Sequence, residues 1–304
     1  MVRAYRLAVT GIVFAGAVMA AATSTPATAD WRTDLKVLRV GFVVGDNAPY
    51  RRNQLEPFRK YLQGKLGLPV EMVPAVSMAA LIDQQVRSDI QYAVETGSAF
   101  VTAEALCRCV EPLVSPVSSD GSRGVLSVMV VNAASPITSL EGARGTKVAV
   151  VRGNSVAGRL VPLKAIAAVG FDMQKDITIV EFDSEDAALR ALRAGSVDAA
   201  LGWTTLVGDP NRGFSRGTLT RMVAANLAQM ADIRIVWQTP LIPNGPHVVA
   251  KDLPDEAKQA LRDALTGMAA ADPLALDSVD RTNGGGFIAA SAGSYDALRA
   301  IVTP

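Results

Sequence analysis

Short apolar runs rich in β-branched residues alternate with amphipathic stretches along this chain. The alternation starts twice, and nothing else in the sequence constrains the fold as strongly. LKVLRVGFVV (35–44), VEMVPA (70–75) and DIQYAV (89–94) read as buried strands. Between the first two, Leu55, Phe58, Leu62 and Leu66 recur at helical spacing and Gly67 supplies the stop; Pro57 suits only a first turn. Ser77 can cap a helix over SMAALIDQQVRS, and SAFVTAEAL reads as helical. The pattern then restarts. VLSVMVVNAAS (125–135) is a long apolar strand, and KVAVV, ITIVEF (177–182) and SVDAALGW (196–203) follow with helical stretches between them. IRIVWQTPLIPNGPHVVAKDL (233–253) reads as two strands joined by a Pro-rich stretch, and Pro254 opens an amphipathic helix. Repeated strand-then-helix units imply a mostly parallel sheet covered by helices.

Two such units suit two α/β domains. The first is expected to hold residues 30–132 plus 245–304, and the second 133–244. Two chain crossings, near Asn132–Ser135 and Pro240–Pro246, would form a two-segment hinge. A ligand is expected in the cleft, outside the carboxyl ends of the strands.

The first 29 residues read as a leader rather than as fold. Arg3 and Arg6 precede an apolar run from Leu7 to Ala22, and Ala27-Thr28-Ala29 obeys the small-x-small rule, which predicts cleavage between Ala29 and Asp30. Removal takes two arginines and no acid from 30 basic and 29 acidic side chains, leaving a net charge of −1. That balance offers nothing to nucleic acid or to an anionic membrane. The expected product is soluble, outside the cytoplasm and monomeric.

The chemistry-bearing residues exclude most catalytic classes. The single histidine, His247, opens a strand in GPHVVA, so no multi-histidine metal site can be built. GNSVAG fails as a nucleophile elbow. NGGGF lacks the Lys-Ser/Thr of a phosphate-binding loop. No catalytic residue, metal or cofactor is expected. Cys107 and Cys109 lie two apart, which leaves three readings open: a tight disulfide, two reduced buried thiols, or an exported redox or metal-handling pair.

Five blocks carry a family resemblance. LRVGFVVGDNAPY with LEPFRKYLQGKLGLPVEMVPA, SLEGARGTKVAVVRGNSVAGRLVP, VEFDSEDAALRALRAGSVDAAL, VWQTPLIPNGPHVVAKDLPDEAKQALRDAL and GFIAASAGSYDALR occur in that order over nearly the whole chain after the leader. Together they resemble the phosphate/phosphonate-type periplasmic substrate-binding proteins of ABC transporters. The resemblance implies a two-lobed periplasmic-binding-protein fold of type II kind. It also implies a periplasmic location, and hinge closure around a small polar or anionic ligand, most simply a phosphonate or phosphate ester. An ABC permease is the implied partner. A sensor of the same fold, reporting to a membrane kinase, is the alternative.

The candidate ligand contacts follow from both readings. A helix starting near Ser155 would aim free N–H groups at an anion, with Asn154 beside it. Glu185 and Asp186 open another helix, and the resemblance points to such acids as partners for a ligand amine. Tyr50 stands where the family places a ligand-contacting tyrosine. Tyr92, at a strand end, Thr96 and Ser98, at a helix start, and Trp203, which can stack on a ligand, complete the set. The chain departs from the family block at Val156 and Ala157, where hydroxyl residues are usual, and at Glu185, where histidine is usual.

Overall fold

The computed structural model describes residues 1, 30–44, 48–172, 175–280 and 282–302. The leader and the bond between Ala29 and Asp30 therefore lie outside the described residues, apart from their two flanking positions. The helices are α1 (Trp31–Leu35), α2 (Ala48–Gln54), α3 (Glu56–Leu66), α4 (Met78–Val86), α5 (Gly97–Cys107), α6 (Val161–Ala168), α7 (Glu185–Arg193), α8 (Thr218–Ala224), α9 (Asp255–Thr266), α10 (Met268–Ala271), α11 (Pro273–Val279) and α12 (Asp296–Val302). The strands are β1 (Leu38–Val43), β2 (Val70–Ala75), β3 (Tyr92–Val94), β4 (Val110–Ser118), β5 (Gly124–Asn132), β6 (Thr146–Val151), β7 (Ile177–Phe182), β8 (Ala199–Thr204), β9 (Ile233–Gln238), β10 (Ile242–Pro243), β11 (His247–Ala250) and β12 (Gly284–Ala289).

The strands form two six-stranded sheets. The first runs β12-β4-β11-β3-β1-β2; the second runs β10-β5-β8-β6-β7, with β9 also paired to β5. Each sheet is mixed, where the sequence pattern implied a mostly parallel one. β1, β2 and β3 are parallel, as are β6, β7 and β8. β11 runs antiparallel to both β3 and β4, and β5 antiparallel to β8. These antiparallel strands are the ones flanking the crossings, where the chain enters a sheet from the other one without a helical crossover.

Helices bury both faces of each sheet. Leu38, Val40 and Phe42 of β1 pack with Phe58 and Leu62 of α3 and with Leu261 and Leu265 of α9. Leu189 and Leu192 of α7 pack with Leu219 and Met222 of α8 over the second sheet. Apolar burial of this kind contributes about 25 cal/mol per Å².

The first crossing is displaced from its expected place. β4 turns at Ser119–Gly121, with the Gly121 N–H bonded to the Ser118 carbonyl, and β5 is already in the second sheet. Residues 124–132, expected in the first lobe, thus pair with β8, β9 and β10. An apolar run reports burial, not which sheet provides it. The second crossing, at 244–246, falls inside the expected stretch, although residues 233–250 hold three strands rather than two. Asn244 ties the crossings together: its N–H donates to the Arg123 carbonyl, while Ser115 Oγ and the Tyr295 hydroxyl donate to its own carbonyl. Asp120 pairs with Arg216 at 3.5 Å and accepts from Ser215, anchoring the first crossing to the second lobe. Burial pushes the Asp120 carboxyl up, but bonds from Ser122 and Ser215 and the Arg216 charge bring it to about 2.

Cys107 and Cys109 are disulfide-bonded. α5 ends at Cys107 and Arg108 adopts a left-handed φ of 53°, which folds the chain back to a Cα–Cα distance of 5.0 Å. Of the three readings of this pair, the structure thus shows the disulfide.

Candidate functional site

The parallel strands of each sheet end at one edge, and helix starts gather there. On the second sheet, β6, β7 and β8 end at Val151, Phe182 and Thr204. After β6, Ser155 caps a π-helical turn, Val156–Leu160, with its Oγ accepting from the Gly158 N–H at 3.1 Å. The wide turn has a local cause. Pro162 has no N–H to continue an α-helical ladder, and Leu160 N–H reaches back five residues to the Ser155 carbonyl. After β7, Ser184 caps α7 by accepting from the Ala187 N–H at 3.1 Å. These caps place free N–H groups and positive helix ends at the edge.

Glu185 is the centre of this edge. Its side chain is 12% exposed. Oε2 accepts from Trp203 Nε1 at 3.1 Å, from Thr218 Oγ1 at 3.1 Å, and from Arg221. Arg221 also pairs with Asp186 at 3.5 Å and lies over the Trp203 ring. The remaining oxygen, Oε1, faces the capped turn. A Cβ on Gly158 would lie 2.6 Å from Glu185 Oε1 and 2.7 Å from Ser155 Oγ, so a larger residue there would have to displace both side chains. Val156 and Ala157, on the same turn, pack with the apolar cluster of Phe100, Val101, Tyr295 and Leu298.

The first sheet's edge is arranged differently. Tyr50, on α2, is 60% exposed, and Val76, after β2, is 81% exposed. Thr96 caps α5, accepting from the Ala99 N–H at 3.2 Å, and meets Ser98 Oγ at 3.2 Å. Beneath this cap Glu95 is buried, and neither carboxylate oxygen has a hydrogen-bond partner. Burial raises its carboxyl to about 8; the nearby Gln85 side chain opposes this weakly, its approach falling short of hydrogen-bond geometry. The second crossing rests on this residue. Glu95 N–H donates to the Pro246 carbonyl, and a Cβ on Gly245 would lie 2.1 Å from the Glu95 carbonyl oxygen. A cavity of about 120 Å³ lies at this edge, lined by Val43, Arg51, Met78 and Val94 among others. A larger cavity of about 570 Å³ lies between Asp209, Phe214, Thr220 and Asn226, and none of Thr96, Ser155 and Ser184 lines it.

The candidate residues thus separate into groups. Ser155, Glu185, Asp186 and Trp203 meet on the second edge, with Asn154 exposed beside them. Tyr50, Thr96 and Ser98 lie on the first. Tyr92 leaves the set: it is 1% exposed and its hydroxyl bonds His247 Nδ1 in the core. It opens β3 rather than ending it, and its side chain points toward α3, with Phe58. Burial holds His247 down at about 3, so it is neutral. Thr218, Arg221 and Glu95 escaped the sequence reading. T-x-x-R in TLTRMVA was the available signal, since i,i+3 residues share a helix face. Among the described residues, no group of three or more His, Cys, Asp or Glu could hold a metal, and no helix is long and apolar enough to cross a membrane.

The family model described as "ABC transporter, phosphonate, periplasmic substrate-binding protein" matches residues 41–295. The chain belongs to this family. Its members are substrate-binding components of transporters and are periplasmic. A curated relative, the phosphonates-binding periplasmic protein of Escherichia coli, is 25% identical over 233 residues. That match covers 75% of this chain and 65% of the relative, so the chain spans just under two thirds of the relative's length. Among solved structures, a Xanthomonas citri protein bound to ATP shares the fold: TM-score 0.55, 20% identity, covering 88% of this chain and 95% of that one. The PhnD1 protein of Prochlorococcus marinus, solved in complex with methylphosphonate, is similar at TM-score 0.47 and 20% identity, covering 88% of this chain and 97% of the other.

Proposed function

We propose that this family member is exported by a leader cut between Ala29 and Asp30, and acts as a monomeric solute-binding protein. In this reading two lobes, hinged at 119–123 and 244–246, close around one small polar or anionic ligand of the phosphonate or phosphate-ester class. The closed form then delivers the ligand to an ABC permease. One observation carries the reading: four side-chain-capped helix starts, at Ser77, Thr96, Ser155 and Ser184, lie at the carboxyl edges of two sheets joined by two short crossings. That is where open α/β sheets bind ligands.

The test is a thermal-shift screen on chain purified from a periplasm, unfolded and refolded to strip carried-over ligand. The panel spans phosphate, phosphite, alkyl and aminoalkyl phosphonates, phosphate diesters, sulfonates and amino acids. A true ligand at about 100 times its Kd adds about 2.7 kcal/mol of stability. A hit in the phosphorus group whose shift shrinks in Ser155→Ala supports the reading. A full panel with no shift contradicts it.

A further inference from the structure

We infer that the second lobe carries a second small-molecule site, away from the capped edges, which takes an α-amino acid with an apolar side chain and is linked to the first crossing. This goes beyond the solute-binding reading and does not depend on it.

The cavity between the 209–215 loop and α8 has a volume of about 570 Å³, against about 120 Å³ for the cavity at the first edge. Small-molecule sites run from about 300 to 1,000 Å³. Its wall is backbone held in an unfavourable shape. Phe214 and Asn226 both line it with left-handed φ of 71° and 54°, and a bulky side chain rarely adopts that conformation. Thr220 pins the loop there: its Oγ1 donates to the Gly213 carbonyl at 2.7 Å.

Asp209 and Arg212 line the same cavity; Asp209 caps the short turn Pro210–Arg212 that carries the arginine. Among the described residues neither side chain has an ion-pair partner. Arg152, Arg159 and Arg221 of the same lobe are all ion-paired. The Asn211 N–H donates to Asp209 Oδ1 at 2.9 Å and fixes that carboxylate. A carboxylate and a guanidinium that share a cavity without meeting offer one place for an ammonium and one for a carboxylate. A bare anion or a bare cation satisfies only one of them. Phe214, Val223 and Ala224 add apolar wall, which suits an apolar side chain on the zwitterion.

The cavity also touches the hinge. Ser215 lines it, and Ser215 Oγ meets Thr205 Oγ1 at 2.7 Å and donates to Asp120 of the first crossing. The next residue, Arg216, donates to Ser118 and Ser122 on either side of Asp120, at 2.6 and 2.8 Å. A ligand that fixes the 209–215 loop therefore restricts the bonds that anchor this crossing.

The experiment is calorimetric titration of the exported chain, unfolded and refolded to strip carried-over ligand, at near-neutral pH. The probes are L-leucine and L-phenylalanine, with leucinamide, which keeps only the ammonium, and isocaproate, which keeps only the carboxylate. At least one amino acid is expected to bind, with each half-probe at least about tenfold weaker. Arg212→Gln and Asp209→Asn, the latter keeping the cap, are each expected to weaken the amino acid by about tenfold or more. Hydrogen exchange then locates the ligand: protection is expected to rise over 209–226 and, through Ser215, over 119–123. Binding of neither amino acid, affinity unchanged in either variant, or protection rising at Thr96, Ser155 and Ser184 instead overturns the site. Protection confined to 209–226 overturns the link to the crossing. An amino-acid shift in the thermal panel that Arg212→Gln abolishes belongs to this site, so the solute-binding reading stands or falls separately, on the remaining compounds.

Discussion

Glu95 and Glu185 each sit beside a helix cap at the carboxyl edge of a sheet, and the chain treats them in opposite ways. Glu95 precedes the cap Thr96 and is buried without a partner for either oxygen. Glu185 follows the cap Ser184 and has three donors on one oxygen. A buried carboxyl without donors is kept neutral, whereas one that accepts from a guanidinium, an indole and a hydroxyl has its desolvation offset by those bonds. The difference teaches how the edges divide their work. On the second edge the carboxylate is held by donors of its own lobe. The first edge exposes Tyr50 and Val76 and hides its acid beneath, under the second crossing.

The largest way to break this comparison is Glu95→Gln. The Glu95 carboxyl is raised in the folded chain to about 8 from an ordinary 4.5, so its contribution is complete below about 4.5 and is lost as pH rises toward 8. Glu95→Gln is expected to flatten that slope, gaining on the order of 5 kcal/mol over the wild type above pH 8 and little at pH 4.5, as read by urea unfolding across that range. Next in size is Glu185→Ala. It strands the Trp203, Thr218 and Arg221 donors and is expected to cost about 2 kcal/mol, reduced from a fully buried pair because Arg221 is half-exposed. Gly158→Ala is expected to cost about 1–2 kcal/mol, since its Cβ would push Glu185 and Ser155 apart. Removing the caps is smallest: Ser155→Ala and Thr96→Ala should each cost about 1 kcal/mol in the same assay. A Ser155→Ala cost equal to that of Glu185→Ala would mean the second edge is not organised around its carboxylate.

Much of this fold was legible in the sequence. Strands such as Val70–Ala75 and Ile177–Phe182 match their apolar runs residue for residue, because burial on a sheet is local information. Caps at Ser77 and Ser155 were legible because a hydroxyl before an amphipathic stretch has a short-range partner. The sheet that received β5 was not, since pairing partners lie far along the chain. α1 was missed for a different reason: five residues are too few to show a period, and it is held by burial of Trp31 and an Arg32 bond to the Leu66 carbonyl. At the site, the ordered motif blocks pointed to Ser155 and Glu185. They could not show that Glu185 is already occupied, because Thr218 and Arg221 reach it from 33 and 36 residues away. Nor could they show that Tyr92 faces inward, which depends on the register of a three-residue strand.

The most direct measurement is hydrogen exchange at the Trp203 indole N–H by NMR, in the ligand-free chain. There are three tryptophans, and Trp203→Phe assigns the signal. A second edge completed by its own carboxylate predicts a Trp203 indole proton that exchanges slowly, shifts with its bond to Glu185, and loses protection in Glu185→Ala. A Trp203 indole that exchanges as fast as an exposed one, and is indifferent to Glu185→Ala, would contradict the claim that this edge is organised around Glu185.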